Sequence, residues 1–226
     1  MSEIFRQIIG VIIDEVFVIL MLVIAEALRK SKGLSRAFTR KFVHVSVGNW
    51  VFFWPLFFKD WYFAMIPPLP FIPLNYVSAR REYIKAIEIK GRGYGTVYYA
   101  FSCTLLAALG YLLNVPHLAA MAIMMMTWGD GLADIVGRRF GKHKYSIFGA
   151  ERSLEGSLAL IALSFVSSLV ALVFFHAMNP TFTYPLLSLA LASVLAGFIE
   201  ALTPKGLDNI TLPIGAFIIL YFLKGV

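Results

Sequence analysis

The sequence predicts an all-α integral membrane protein of about eight transmembrane helices, a single polytopic domain over residues 1–226 with both termini on the non-cytoplasmic side. Three observations predict it. Of the 226 residues 59% are hydrophobic and 15% charged, and mean hydropathy is +0.78, well beyond the roughly 45–50% apolar share of a soluble domain. Apolar runs recur along the chain, each long enough to cross a hydrocarbon core of about 30 Å as a helix that satisfies its own backbone. Basic residues gather in alternate loops.

The spans fall near residues 5–28, 42–58, 61–79, 95–113, 117–140, 156–177, 183–203 and 207–224. The first is expected to be retained: Ala25-Glu26-Ala27 imitates a cleavage site, but the stretch before it is too long for a signal peptide and holds Asp14 and Glu15. The second is aromatic, "NWVFFWPLFF". The third contains "IPPLPFIP", whose four prolines each remove a backbone donor, so it should be kinked or broken inside the bundle. The fourth and sixth are the cleanest. The fifth carries acids, and the last two meet at a turn around Pro204 and Gly206. No repeat, low-complexity tract or soluble domain is expected.

Orientation follows from charge. Arg29, Lys30, Lys32, Arg36, Arg40 and Lys41 fill the first loop; Arg80, Arg81, Lys85, Lys90 and Arg92 the third; Arg138, Arg139, Lys142, Lys144 and Arg152 the fifth; Lys205 the seventh. Only Arg6, Lys59 and Lys224 remain for the other side, so the rich side is cytoplasmic. The net charge of +7 is thus concentrated on one face, suited to anionic headgroups or a polyphosphate; nucleic acid is not the expected partner. Cys103 stands alone, which excludes a disulfide framework.

The chemistry concentrates in "TWGDGLADIVGRRFGKHKY", residues 127–145. Asp130 and Asp134 lie one helical turn apart in an apolar span, where a carboxylate costs above roughly 2.5 kcal/mol unless it meets protein, water or a cation. Two readings stand. Asp134 pairs with Arg138 at i, i+4 while Asp130 caps a neighbouring helix, or the two acids share magnesium, which takes hard oxygen ligands together with phosphates. Gly129, Gly131 and Gly137 lower helix propensity and leave room for a ligand or a second backbone. Arg138, Arg139, Lys142 and Lys144, beside Gly137, Gly141 and Gly149, can surround phosphate oxygens or simply express positive-inside bias. "GRRFGKH" is not a P-loop: the glycine spacing is one residue short and His143 occupies the Ser/Thr position.

Further clusters reach the same side. In "ERSLEGSLALIAL" Ser153 begins a helix whose amino end favours anions, and Glu155 serves as a metal ligand, a base or a first-turn capping acid. "TRKFVHVSVGNW" sets Arg40, Lys41 and His44 within one turn, the histidine positioning phosphate, accepting a hydroxyl proton or resting as an interfacial residue. "EALTPKGLDNITLP" supplies Glu200, Asp208 and Asn209; its turn does not explain Glu200 within the membrane. "KGRGYGTVYYAF" offers a glycine-rich helix entry at Gly91, Gly93 and Gly95, or a plain loop.

In order, "RKFVH", "GYGTVYY", "GDGLADIVGRRFG", "RSLEGSLA" and "EALTPKGLDNITLP" resemble the polyprenol kinase family, which includes dolichol kinase, phytol kinase and CTP-dependent diacylglycerol kinase. The resemblance implies a multispanning enzyme that transfers the terminal phosphate of CTP to a membrane isoprenoid alcohol, with magnesium, at the cytoplasmic interface. It implies a metal and nucleotide motif at Gly129, Asp130, Gly131, Asp134 and Gly137 with Arg138 and Lys142 following. It implies a second element at Arg152, Ser153, Gly156 and Ser157 and a third at Glu200, Asp208 and Asn209.

On this reading Asp130 and Asp134 hold magnesium, while Lys41, Arg138, Arg139, Lys142, Lys144 and Arg152 meet the phosphates. Glu155, His44 or Asp208 accepts the hydroxyl proton. Phosphoryl transfer suits such a set because it depends on positioning and charge neutralisation. The aromatic second span and the broken third wall a groove for the lipid tail, or else Trp50, Trp54 and Trp61 are ordinary membrane anchors. The related phosphatidate cytidylyltransferases carry an Asp-Arg-x-x-x-Asp signature, and no Asp-Arg pair occurs here. A transporter is the non-enzymatic alternative, since buried acids and broken helices mark those too. The alcohol and the oligomeric state, a dimer included, are left open.

Overall fold

The computed structural model describes residues 2–88, 93–204 and 206–224. Lys90, Gly91, Arg92 and Lys205 lie outside the described residues.

Helix α1 (Glu3–Lys32) starts where the Ser2 hydroxyl accepts from the Phe5 amide, and stops at Gly33, whose φ of +63° turns the chain. Ser35 caps α2 (Arg36–Gly48) in the same way. The expected second span then continues only as a 3₁₀ turn, Asn49–Phe53, and the short α3 (Trp54–Phe57). The third breaks at its prolines into α4 (Trp61–Met65) and α5 (Phe71–Arg81), as the missing backbone donors require. Next come α6 (Gly95–Leu112), α7 (Pro116–Met124) and α8 (Gly131–Phe140), the last two fused through a π-helical turn over Met125–Asp130. After α9 (Leu154–Met178), α10 (Leu186–Leu202) and α11 (Asp208–Leu223) close the bundle.

Among the described residues, four helices are long and apolar enough to cross a membrane: Glu3–Lys32, Gly95–Leu112, Pro116–Phe140 and Leu154–Met178. The chain is an α-helical membrane protein. The all-α expectation needs one correction, because strands β1 (Lys144–Ile147) and β2 (Ala150–Ser153) pair antiparallel, Lys144 opposite Ser153 and Ile147 opposite Ala150. Phe148 and Gly149 join them with φ of +48° and +75°, the double positive φ that a two-residue hairpin turn needs. At four residues per strand, with a bulky Phe in a glycine position, the alternation was too short to read as a hairpin.

The Pro116–Phe140 helix is the axis of the bundle. Every residue from Leu118 to Met126 is fully buried, the alanines admitting close neighbours and the methionines filling what remains. Lipid-facing positions stay apolar, as at Ile12, Val16 and Ile19 on α1. Helices α6 and α7 also pack closely: a Cβ at Gly110 would stand 2.6 Å from Ala119 Cβ and 3.1 Å from Pro116 Cα. Neither atom can rotate away. Gly110→Ala should therefore destabilise the protein by about 1–3 kcal/mol, read as a lower unfolding temperature in detergent, and Ala119→Gly should restore most of the loss.

Candidate active site

The two acids of the central helix face the amino-terminal half of α2. Lys41 Nζ reaches across to Asp130 Oδ2 at 2.9 Å and to the Asp130 carbonyl at 3.2 Å, with Asp134 Oδ2 at 4.0 Å. Asp134 in turn takes both Nε and Nη2 of Arg138, at 2.9 and 2.8 Å. The i, i+4 pair expected from spacing is thus present, whereas Asp130 forms an ion pair with Lys41 rather than capping a neighbouring helix. The π turn that ends at Asp130 widens the helix here. One carbonyl of that turn, at Met126, lies 3.2 Å from His44 Nε2. A carbonyl only accepts, so Nε2 carries the hydrogen and Nδ1 is left as the acceptor.

Below the acids, α8 and α9 meet backbone to backbone. A Cβ on Gly156 would lie 3.2 Å from Gly137 Cα and 3.1 Å from Ser153 Oγ, so both glycines are needed for the approach. Ser153 ends β2 and caps α9, its hydroxyl accepting from the Gly156 amide at 3.1 Å. The hairpin is held at three points. Arg152 turns inward to form an ion pair with Glu200 and donates to the Thr203 carbonyl at 2.9 Å. Tyr145 and Ser157 share a hydrogen bond of 2.6 Å. Glu155 turns outward and accepts from the His143 amide, with His143 Nδ1 at 2.7 Å.

The start of α11 completes the wall. Asn209 Nδ2 donates to the Gly95 carbonyl at 3.1 Å, and Ser102 donates to the Asn209 carbonyl at 2.6 Å. Asp208 accepts from the amide of Asn209. Nearby, Arg40 donates to the Ile87 carbonyl at 3.1 Å, and burial pushes the adjoining Glu88 carboxyl above the usual carboxylate range against the pull of the Arg40 guanidinium.

These groups enclose a polar cavity of about 660 Å³, within the roughly 300–1,000 Å³ of ligand sites. Of the residues expected from sequence, Lys41, His44, Asp130, Asp134, Gly137, Arg138, Lys144, Arg152, Ser153, Gly156, Ser157, Glu200, Asp208 and Asn209 line it. Five do not. Gly129 packs on Ser164 and Gly131 on Val45 and His44, so these glycines admit neighbouring helices and not a ligand. Arg139 lies over the Phe140 ring at 5.5 Å, Lys142 is exposed, and Glu155 clasps His143.

Sequence reasoning missed Ser146 and Glu151, which the hairpin brings to the wall, and gave Arg40 no binding role although it lines the cavity. Since Glu155 fastens the hairpin from outside, Glu155→Gln should leave the turnover of the site near wild type while raising amide exchange in residues 144–153; hydrogen exchange paired with an activity assay checks this.

A second, apolar cavity of about 110 Å³ runs between α1, α2, α5 and α6, with Trp50, Trp54, Phe71 and Tyr99 in its wall. Arg40, His44, Gly95 and Asn209 line both cavities. A charged chamber therefore abuts an apolar one across four residues. That pairing fits chemistry between a polar, anionic molecule and a hydrocarbon-bearing one.

No family model matches the chain, and no solved structure matches it. Among curated proteins it is 34% identical to phytol kinase from Synechocystis sp. over 202 residues, 87% of this chain and 84% of that one. It is 28% identical to phytol kinase 1, chloroplastic, from Arabidopsis thaliana, covering 88% of this chain and 71% of the relative. The probable phytol kinase 2, chloroplastic, from Glycine max is likewise 28% identical, over 88% and 69%. With identity sustained over most of both chains, and with most of the motif residues gathered around one cavity, this chain belongs to the polyprenol kinase family, the family of the phytol kinases.

Proposed function

We propose that the protein is a lipid-alcohol kinase that transfers the γ-phosphate of CTP to the hydroxyl of a membrane isoprenoid alcohol such as phytol, geranylgeraniol or a polyprenol. The observation that carries this reading is the wall of Arg40, His44, Gly95 and Asn209 common to the charged and apolar cavities: a triphosphate on one side and a tail on the other bring phosphate and hydroxyl together there. The names of the relatives support a lipid alcohol as acceptor. CTP and magnesium come from the family resemblance.

The residues fit magnesium by donor chemistry. Asp130 and Asp134 offer hard oxygens on one face, and among the described residues no group of three or more His, Cys, Asp or Glu forms a closed metal cage; magnesium beside phosphates typically takes only one or two carboxylates. When bound, the ion would neutralise phosphate charge. Lys41, which now spans both acids, is free to swing toward a phosphate once they are otherwise compensated. Arg138, Lys144 and Arg152 would supply cations to the phosphate oxygens, in a wall whose five basic and five acidic side chains otherwise balance. His44, through Nδ1, or Asp208 accepts the hydroxyl proton; Glu155, turned away from the cavity, is withdrawn from that role. In the membrane we infer eight crossings, two of them built from broken helices, with the charged cavity opening to the cytoplasm.

The test is turnover. Purified protein in detergent with magnesium, γ-labelled CTP and a panel of phytol, geranylgeraniol, dolichol and diacylglycerol should yield labelled lipid phosphate and CDP. Label released as pyrophosphate instead would mean nucleotidyl transfer, and no reaction with any acceptor would overturn the enzymatic reading.

A further inference from the structure

Asp14 stands apart from everything above. It lies midway along α1 with 5% of its surface exposed, and it lines the apolar cavity among Val18, Val47, Trp50 and Cys103. Its oxygens meet no hydrogen-bond or ion-pair partner among the described residues. The contrast along the same helix is direct: Gln7, equally buried, donates to Asp60 at 2.7 Å and accepts from the amides of Lys59 and Asp60. The acids at the bottom of the polar cavity, Asp130 and Asp134, each hold a cation. Beside Asp14, the Tyr99 hydroxyl is spent on the His44 carbonyl at 3.0 Å. A carboxyl left bare in a hydrocarbon-lined space is costly, and a polar group retained at such cost within a membrane span marks function.

Its depth is set by α6. Gly95 belongs to both cavities, and Cys103, within electrostatic reach of Asp14, lies two turns further along, about 12 Å at 1.5 Å per residue. We propose that Asp14 is the chain-length filter of the lipid channel. A tail that ends short of it leaves room in the cavity for water to hydrate the carboxyl, whereas a longer hydrocarbon displaces that water and leaves it unsatisfied. This rests on the apolar cavity being the tail site of the lipid-alcohol reading.

The test is binding without nucleotide. Saturated primary alcohols from decanol to octadecanol are titrated into the full-length protein in detergent, read through the fluorescence of Trp50 and Trp54, and wild type is compared with Asp14→Leu at each length so that micelle partitioning cancels. Short alcohols should bind both equally. For longer ones the affinity of the Leu variant should keep rising, about threefold to fourfold per methylene, while wild type levels off, opening a gap of more than about tenfold. Asp14→Asn, polar and of the same size, should retain the wild-type plateau, and Asp14→Ala serves in place of Leu if that variant misfolds. A ratio that stays flat across the series overturns the proposal. A gap that opens in a protein unable to phosphorylate any alcohol would sink the kinase reading and leave the filter standing.

Discussion

Asp130→Asn should cut phosphotransfer by at least about a hundredfold while leaving the protein folded. The substitution keeps shape and removes charge. Its side chain is the more enclosed of the two acids, 13% exposed against 29% for Asp134, so less water is at hand to substitute for it. A metal that neutralises transferring phosphate supplies several kcal/mol in the transition state, and each 1.36 kcal/mol is tenfold in rate; on the proposed reading, in which Asp130 and Asp134 would hold magnesium, losing one of two anionic ligands forfeits much of that. Lys41 would also lose its 2.9 Å partner and keep only Asp134 at 4.0 Å. Asp134→Asn should be milder, because Arg138 already shares its carboxylate in a more open setting. The measurements are initial rates with labelled nucleotide and an unfolding temperature for each variant. An Asp130→Asn enzyme that runs at the wild-type rate would remove that residue from the metal site.

How far the sequence carried this picture depends on the kind of signal. Hydropathy over twenty residues reveals a span directly, so α1, α6, the Pro116–Phe140 helix and α9 were legible. Proline chemistry made the break between α4 and α5 legible too. What composition cannot register is the continuation of a span as a 3₁₀ turn, as at Asn49–Phe53, because the residues stay apolar whichever hydrogen bonds they make. The acids and most cations of the cavity stood out because charge in hydrocarbon needs a reason. Direction did not: Arg139 is adjacent to Arg138, and only the helix phase decides that one faces the cavity and the other the Phe140 ring. The glycines left a choice open for a related reason. Gly129 and Gly131 mark close approach, and the sequence alone does not say whether ligand or helix approaches.

Glu200→Ala should destabilise the protein by about 3–5 kcal/mol, the usual consequence of stripping one partner from a buried ion pair. Glu200 and Arg152 are 12% and 10% exposed, and the guanidinium would be left with the carbonyls of Thr203 and Ala201, at 2.9 and 3.4 Å, which cannot neutralise it. The same pair answers the sequence puzzle of an acid inside the seventh span: Glu200 anchors the hairpin to α10. An anchoring role and a phosphate-binding role for Arg152 make different forecasts. Replacing both residues with methionine removes the stranded charge and fills the space, so most of the stability should return. If Arg152 only anchors, activity returns with it. Since Arg152 also lines the charged cavity, we expect the doubly substituted protein to unfold near the wild-type temperature and still bind nucleotide weakly, as a raised KM for CTP at saturating alcohol.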